Sequence, residues 1–542
     1  MQRSGSSPNK EKMMKESKAQ RVERIKREKD GLDVIEDIYR YARSGKDVDP
    51  EDIDRLKWYG LYTQNRTLQP EDDDNQYFML RVKIENGTIE REQLKALGEI
   101  SLKYARGTAD FTTRQDLQYH WVSMKDLPAI FEKLEEAGLT TRMAAGDVVR
   151  NTVTCPLNGK SGSEIVDVGS VVKEINSLFD ANRDFSNLPR KFKIGVSGCS
   201  SHCMPHEIQD LSFVAQRTEN GDVRFALFAG GGLASNRRFA DFLGYIKEEQ
   251  IVPIAKATVE IFRDFGNRQK RNRARLGHLI KEWGAEKFKA TLEEISGVKI
   301  VDGPYPKVTE SKKRHHCGIM PAKEEGRSHI GCAIFGGVFG GERVLKLYEI
   351  MKERGVSQIR TTTKQNFIIT DVPENEVKSL CEELEKMRVN PYPSAFRTRT
   401  TACTGLDFCK FAISETKSVA QNVALYLENR FPAFGEPVTI SVNGCPNSCA
   451  HPCIADIGLS GTTFKRNGES IKGFELLVGG KIEGQNSLFS KRTGVLLAPD
   501  EIAEFLEKVI EDYIESGEST ISEYFYNFEI STIYNRKVSL VK

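Results

Sequence analysis

An α+β chain built from two duplicated halves with pseudo-twofold symmetry is what the sequence predicts, on three observations. The first is repetition: four blocks recur in the same order at offsets of about 245–250 residues. FTTRQDLQYHWV (111–122) matches IRTTTKQNFIITDV (359–372), and RNTVTCPLNGKS (150–161) matches RTTACTGLDFC (399–409). KIGVSGCSSHC, ending at Cys203, matches TISVNGCPNSC, ending at Cys449, and FALFAGGGLASN from Phe225 matches FELLVGGKIEGQN from Phe474. Chance is a poor explanation of four matches in register. The second observation is that helical patterns over 127–137 and 374–387 fall between strand-like runs in both halves, as mixed helix-and-sheet layers require. The third is the Gly-rich strand exit in each half, at Gly230–Gly232 and Gly479–Gly480, where backbone can approach a ligand closely. Duplicated halves of this kind hold a ligand between them.

A chain of 542 residues has room for three or four domains and an ample core. Its formal charge of +2 gives no bulk field for nucleic acid or a membrane surface. With 39% hydrophobic and 29% charged residues, the composition is that of a soluble globular protein. The best apolar run, Cys332–Gly341, is broken by glycines and falls well short of the ~18 residues of a membrane span. Eleven cysteines scattered over so long a chain argue against a disulfide scaffold and for metal or redox use in a reducing compartment, here the cytoplasm. Met1–Asp30 is rich in Lys, Arg, Ser and Glu and has no signal-peptide core, so it is expected to be a solvated arm that becomes helical.

The chemistry concentrates between Thr401 and Pro452. Cys403 and Cys409 form a C-x5-C pair, and Cys445 and Cys449 a C-x3-C pair 35 residues further on. Four thiols in two pairs suit a [4Fe–4S] cluster, one thiolate per iron. Structural zinc also takes four ligands, but its knuckles are usually tighter, which favours the cluster. Val438–Val442 alternates as a strand does, Asn443-Gly444 turns the chain, and Pro446 suits the first turn of a helix. In the first half, Cys155, Cys199 and Cys203 mirror Cys403, Cys445 and Cys449, while Ser161 stands where Cys409 would be. Three thiols and a serine could hold a second cluster; the expectation is a relic of duplication and one cluster per chain. Cys317, Cys332, Cys381 and Cys453 read as buried small hydrophobes.

C-x5-C followed by G-C-P-N-x-C closely resembles the assimilatory sulfite and nitrite reductases, of the ferredoxin-dependent type. The resemblance runs from the LKWYGLYTQ segment at Leu56 almost to the C-terminus. It implies two ferredoxin-like half-domains forming one domain, plus two α/β sirohaem-binding domains. The expected division is a charged arm and helices over 1–55, half-domains over 56–135 and 311–392, and sirohaem-binding units over 136–310 and 393–542. It implies a sirohaem and one [4Fe–4S] cluster on Cys403, Cys409, Cys445 and Cys449, with Cys449 bridging to the sirohaem iron. Arg81, Arg150, Lys191 and Lys193 match the family's basic residues around the substrate. Arg114, Gln118, His120, Arg190, Asn267, Arg268, Arg271, Gln365, Asn366 and Asn447 fall in segments that line the sirohaem, and Tyr62 reaches towards the active site.

The implied reaction is six-electron reduction of sulfite to sulfide, or alternatively of nitrite to ammonia, with electrons from ferredoxin. Lys193 favours sulfite, because plant-type nitrite reductases carry Asn there. No Gly-rich dinucleotide fingerprint with its acidic partner is visible, so the electrons come from a separate carrier. A monomer is expected. The reading from another class is a non-catalytic iron–sulfur or zinc protein, which leaves the duplicated halves and the scattered arginines without a purpose.

Overall fold

The computed structural model describes residues 16–526 and 528, apart from 235–236 and 308–314. The first repeated block is a hairpin in each half, where a single strand is predicted. Asp110–Phe111 pairs antiparallel with Leu117–Ser123, and Gln358–Thr361 with Phe367–Pro373. The two turns are built alike. The Thr112 hydroxyl accepts from Arg114 N at 3.2 Å and Asp116 N at 3.1 Å; that of Thr362 accepts from Lys364 N at 3.2 Å and Asn366 N at 3.1 Å. Gln115 and Gln365 both stand at φ 62°, the left-handed conformation that such a turn demands.

Those glutamines then bind the halves to each other. Gln115 Nε2 donates to Thr361 O at 2.9 Å while its Oε1 accepts from Thr154 N at 3.0 Å. Gln365 Nε2 donates to Phe111 O at 3.3 Å while its Oε1 accepts from Ala402 N at 2.9 Å. Exchange of partners between matched positions is the signature of a pseudo-twofold axis. Around it lie two half-domain sheets. One has the order Leu61–Thr63, Tyr77–Val82, Leu117–Ser123, Asp110–Phe111. The other runs Gly318–Pro321, Arg327–Cys332, Phe367–Pro373, Gln358–Thr361 and ends with Thr88–Glu90, lent by the first half. Helices Arg91–Tyr104 and Gly341–Glu353 pack across the interface at paired glycines. A Cβ on Gly98 would lie 2.7 Å from Leu345, and one on Gly341 2.6 Å from Ser101 Oγ. One hydrophobic cluster, from Phe78 and Leu117 to Ile330 and Phe367, runs through both halves.

The two larger units also match. The first sheet has the order Ile194–Ser197, Leu211–Arg217, Val223–Ala229, Asp241–Ile246, and the second Ile440–Asn443, Ile457–Arg466, Glu469–Val478, Lys491–Leu497, preceded by Thr400–Ala402. In each, the first connection is parallel and the later ones antiparallel. Each has its own core under helices such as Ile251–Phe265 and Ile502–Ser516. Among the described residues no helix is long and apolar enough to cross a membrane.

Two expectations are corrected. Within Met1–Asp30, residues 1–15 lie outside the described residues, but Lys18–Glu28 is a docked helix with a Ser17/Gln20 capping box, not a solvated arm. It buries Ala19, Val22 and Ile25, and its charges face partners: Lys26 meets Glu23 at 2.6 Å and Leu188 O at 2.9 Å. The helix expected after Pro446 is a turn, because Asn443 Oδ1 accepts from Ala450 N at 2.9 Å and Ser448 takes a left-handed φ of 56°.

Gln115→Ala and Gln365→Ala each orphan two buried backbone groups at about 1–3 kcal/mol apiece, so each is expected to cost roughly 2–6 kcal/mol. Urea midpoints are expected to fall by similar amounts in both; a loss in only one would contradict the paired brace.

Candidate active site

The parallel strands Thr400–Ala402 and Ile440–Asn443 end side by side, with Ala402 opposite Val442, so their exits deliver Cys403 and Cys445 to one edge. Cys403 N donates to Val442 O at 3.0 Å, and its sulfur accepts from Gly444 N at 3.2 Å. Gly444 is required there: a Cβ would sit 2.7 Å from Ser414 O. Backbone amides also reach the other sulfurs, from Phe411 and Ala412 to Cys409 and from Asn447 to Cys445. Burial, reinforced by the nearby Cys449, pushes the Cys403 thiol up to about 12. Free thiolates are therefore disfavoured in this pocket, and a bound metal centre would displace the protons. Cys449 also raises Cys409 and Cys445, so it lies close to all three. It is the exposed member of the four.

Cys449 faces cations. Its charge is felt at Lys191, which burial and then Arg275, Arg150 and Arg190 nevertheless bring down to about 8. Lys193 is lowered further from the lysine range by burial and by Arg114, Lys191 and Arg275. Both lysines leave the PRKFK run on the same side of the chain just before the strand Ile194–Ser197. Arg114 donates to Gln209 Oε1 at 3.0 Å and Ile194 O at 3.1 Å, and burial first and then Arg150 and Arg275 lower it to about 10. Arg150 is held by Gly146 O at 2.7 Å and Ala144 O at 3.2 Å. Arg81, opposite Gln118 in the sheet, reaches Ala144 O at 3.3 Å and lies over the Tyr62 ring at 6.0 Å. Burial resists ionisation of Tyr62, but Arg150, Arg81 and Lys191 outweigh it and draw the phenol down to about 8. Nε of both Arg81 and Arg114 is buried without a partner.

Sequence reasoning missed the anions that hold this array. Asp210, fully buried, takes Arg275 through Nε at 3.0 Å and Nη2 at 2.5 Å and accepts from Lys193 N at 2.8 Å. Asp147 takes Arg271 at 2.8 and 3.0 Å, Arg190 at 3.3 Å and Lys26 at 3.5 Å. Its burial is more than offset by Lys26, Arg271 and Arg190, which keep the carboxyl well below its usual range. Each is an Asp abutting an apolar run, AAGDVV and IQDLSF, a signal that was available. His451, at φ 67° between Lys193 and Lys364, was also missed.

Other expected lining residues are spent elsewhere. Gln365 and Asn366 use their amides on backbone, Asn366 on Ile334 N at 3.1 Å and Thr398 O at 3.1 Å. Asn267 Oδ1 caps Gln269 N and Lys270 N, and Arg268 pairs with Glu23 at 2.8 Å and Asn187. His120 is fully buried, stacked 3.9 Å over Phe408 in the Cys409 loop and 3.2 Å from Asp110. Gln118 couples Arg81 to Thr404 in that loop, with 3.4 and 3.2 Å contacts. A cavity of about 720 Å³ lies elsewhere, among Cys203, Lys364, Arg399, His451 and Gly479. These include the repeat mates of Cys449, Arg114, Arg150 and Gly230, so this cavity is the pseudo-symmetric counterpart of the cation-lined site.

The chain matches the description "Nitrite and sulphite reductase 4Fe-4S domain" over residues 145–300 and 394–523, and "Nitrite/Sulfite reductase ferredoxin-like half domain" over 69–137 and 320–387. It is 34% identical over 494 residues to "Sulfite reductase [ferredoxin] 2" of Mycolicibacterium paratuberculosis, covering 88% of each chain. It is 31% identical over 503 residues to the "Ferredoxin--nitrite reductase" of Synechococcus elongatus, covering 91% of this chain and 96% of the relative. The solved structure of the Mycobacterium tuberculosis NirA protein superposes with a TM-score of 0.88 at 32% identity, covering 94% of this chain and 96% of that one.

Because Lys191 attracts an anion only while protonated, anion binding to the apoprotein should be strongest well below pH 8 and decline as pH rises past it. Sulfate, a dianion throughout, is expected to raise Tm more at pH 6.5 than at 9.5, and Lys191→Gln to flatten the difference. Equal shifts at both pH values would contradict the cation array.

Proposed function

Because the chain belongs to the nitrite and sulphite reductase family, with a sirohaem and a [4Fe–4S] cluster as its cofactors, we propose that it reduces sulfite to sulfide with electrons from ferredoxin. The observation that carries this reading is the pair Lys191 and Lys193, two cations on one face of one strand approach, opposite the exposed thiol of Cys449. The residues present fit both groups. Cys403, Cys409, Cys445 and Cys449 would hold the cluster, with Cys449 shared with the sirohaem iron. Arg81, Arg114, Arg150 and Arg275, with Lys191 and Lys193, outnumber the acidic Asp116 and Asp210 beside them, a surplus that suits sirohaem carboxylates and a small oxyanion.

When bound between these residues, the two cofactors would supply the site for the anion and the electrons for its reduction. The protein's own part is electrostatic and protic. Arg81 and Arg150 are pinned by Ala144 O and Gly146 O, so they meet an oxyanion without reorganising. Lys191, brought to about 8 by burial and then by its cationic neighbours, releases a proton more readily than an ordinary lysine and is suited to protonating departing oxygens. Tyr62, held between Arg81 and Arg150, is a second proton source of matching acidity. Asp210 fixes the Lys193 backbone and Arg275 together. Asp147 does the same for Arg190 and Arg271, so these two serve the site by position. Gln118 and His120 brace the loop that carries Cys409. We propose a cytoplasmic monomer; the scattered free cysteines support the reducing compartment.

Nitrite is the second reading, since relatives of similar identity bear that name. Lys193 separates the two. Sulfite brings more charge and more oxygens, and a charge-assisted hydrogen bond is worth about 1.5–3 kcal/mol. Lys193→Asn is therefore expected to lower kcat/KM for sulfite by roughly ten- to a hundredfold and to shift the ratio towards nitrite. Equal losses on both anions would remove the support for sulfite.

A further inference from the structure

The first-half copy of the cysteine blocks is not merely degenerate. Cys155, Cys199 and Cys203 are all buried and close together: Cys199 Sγ lies 3.2 Å from Cys203 Sγ. A residue from outside the repeat joins them, since Cys155 Sγ is 3.6 Å from His316 Nε2. The ligand atoms of Cys155, Cys203 and His316 all lie within 4.8 Å of one another. Ser161, which occupies the place of a fourth cysteine, instead pairs its hydroxyl with Ser163 at 2.9 Å. We propose that Cys155, Cys199, Cys203 and His316 form a closed structural site for a single tetrahedral zinc ion.

Size favours one ion. With Zn–S of ~2.3 Å, two thiolates on a tetrahedral zinc stand ~3.8 Å apart, so the Cys199–Cys203 pair, at 3.2 Å, needs to open only slightly. A cubane spreads its outer thiolates more widely, each bonded to a different iron. The second-half thiols show that wider arrangement: no three of Cys403, Cys409, Cys445 and Cys449 come within 4.8 Å of one another, whereas Cys155, Cys203 and His316 do, with Cys199 reaching that trio through Cys203. Three cysteines and a histidine are also a standard structural zinc set. Leu157, Ile368 and the partly buried Met320 pack against the thiols, and Cys203 also borders the cavity described above. Three thiolates on a divalent ion leave one negative charge, and the buried Arg360 lies within electrostatic reach of Cys155.

The backbone is arranged to present His316. The residue stands at φ 52°, and its carbonyl fits only because Gly331 has no side chain: a Cβ there would be 1.8 Å away. His316 precedes the strand Gly318–Pro321, the edge of the second half-domain sheet, whereas the cysteines belong to the first larger unit. The ion therefore staples one half of the duplication to the other at the mate of the cluster position.

Elemental analysis of the holoenzyme is expected to give about one zinc per chain beside the cofactor iron. Cys203→Ser and His316→Ala are expected to lose zinc and keep iron, whereas Ser161→Ala keeps both. Should those variants fail to fold, zinc X-ray absorption of the wild-type protein is expected to show three sulfurs at about 2.3 Å and one nitrogen at about 2.0–2.1 Å. Zinc absent from the wild-type protein, zinc retained in both ligand variants, an oxygen-rich shell, or iron sufficient for a second cluster would each overturn the proposal.

Discussion

Repulsion among converging cations is the constraint on which this structure turns. Burial first, and then neighbouring cations, lower Arg114, Lys191 and Lys193: Arg275 acts on all three, Arg150 on Arg114 and Lys191, and Arg114 and Lys191 on Lys193. Such an array is costly unless anions complete it. Part of the completion is internal. Asp210 and Asp147 are almost wholly buried: Asp147 gathers Arg271, Arg190 and Lys26, and Asp210 takes Arg275 together with the backbone amide of Lys193. The rest is left for ligands, as the unpartnered Nε atoms of Arg81 and Arg114 indicate. The N-terminal helix belongs to the same network: Lys26 enters through the Asp147 carboxylate, so an outlying segment is tied to the active site.

Duplication explains how one chain assembles both sides of such a site. The paired hairpins and their cross-bracing glutamines align the halves, and the strand Thr88–Glu90, lent to the opposite sheet, locks them. The two copies then specialise. One exits its parallel strands into cysteines, and the other approaches the same space with PRKFK. Where the second half has Cys403, Cys409, Cys445 and Cys449, the first has Cys155 and Cys203 within 4.8 Å of His316, with Cys199 beside Cys203. The same backbone thus supports two different donor geometries.

Much of this was legible because it is local. The cysteine spacings, the Gly-rich exits and the repeated blocks lie within short windows, so the duplicated α+β architecture and the run that brings Lys191 and Lys193 up to the strand Ile194–Ser197 follow from pattern. What was not legible depends on long-range pairing. Nothing around Lys26 announces that it is buried against Asp147, and His316 lies more than a hundred residues from the cysteines it joins. Pro446 carried a valid helix-start signal, yet the Asn443 clamp on Ala450 N overrode it. Gln365 and Asn366 also have a role that pattern does not announce: Gln365 braces the halves, and the Asn366 amide closes the turn. His120 likewise supports the cluster loop through Phe408.

The most direct test of the account is an electron count on the purified holoenzyme. Under anaerobic conditions, with a limiting known amount of sulfite, reduced ferredoxin would be titrated and sulfide measured. The account predicts six electrons consumed for each sulfide formed, with no partially reduced sulfur species accumulating. A two-electron end point, or oxidation of ferredoxin without sulfide, would contradict it.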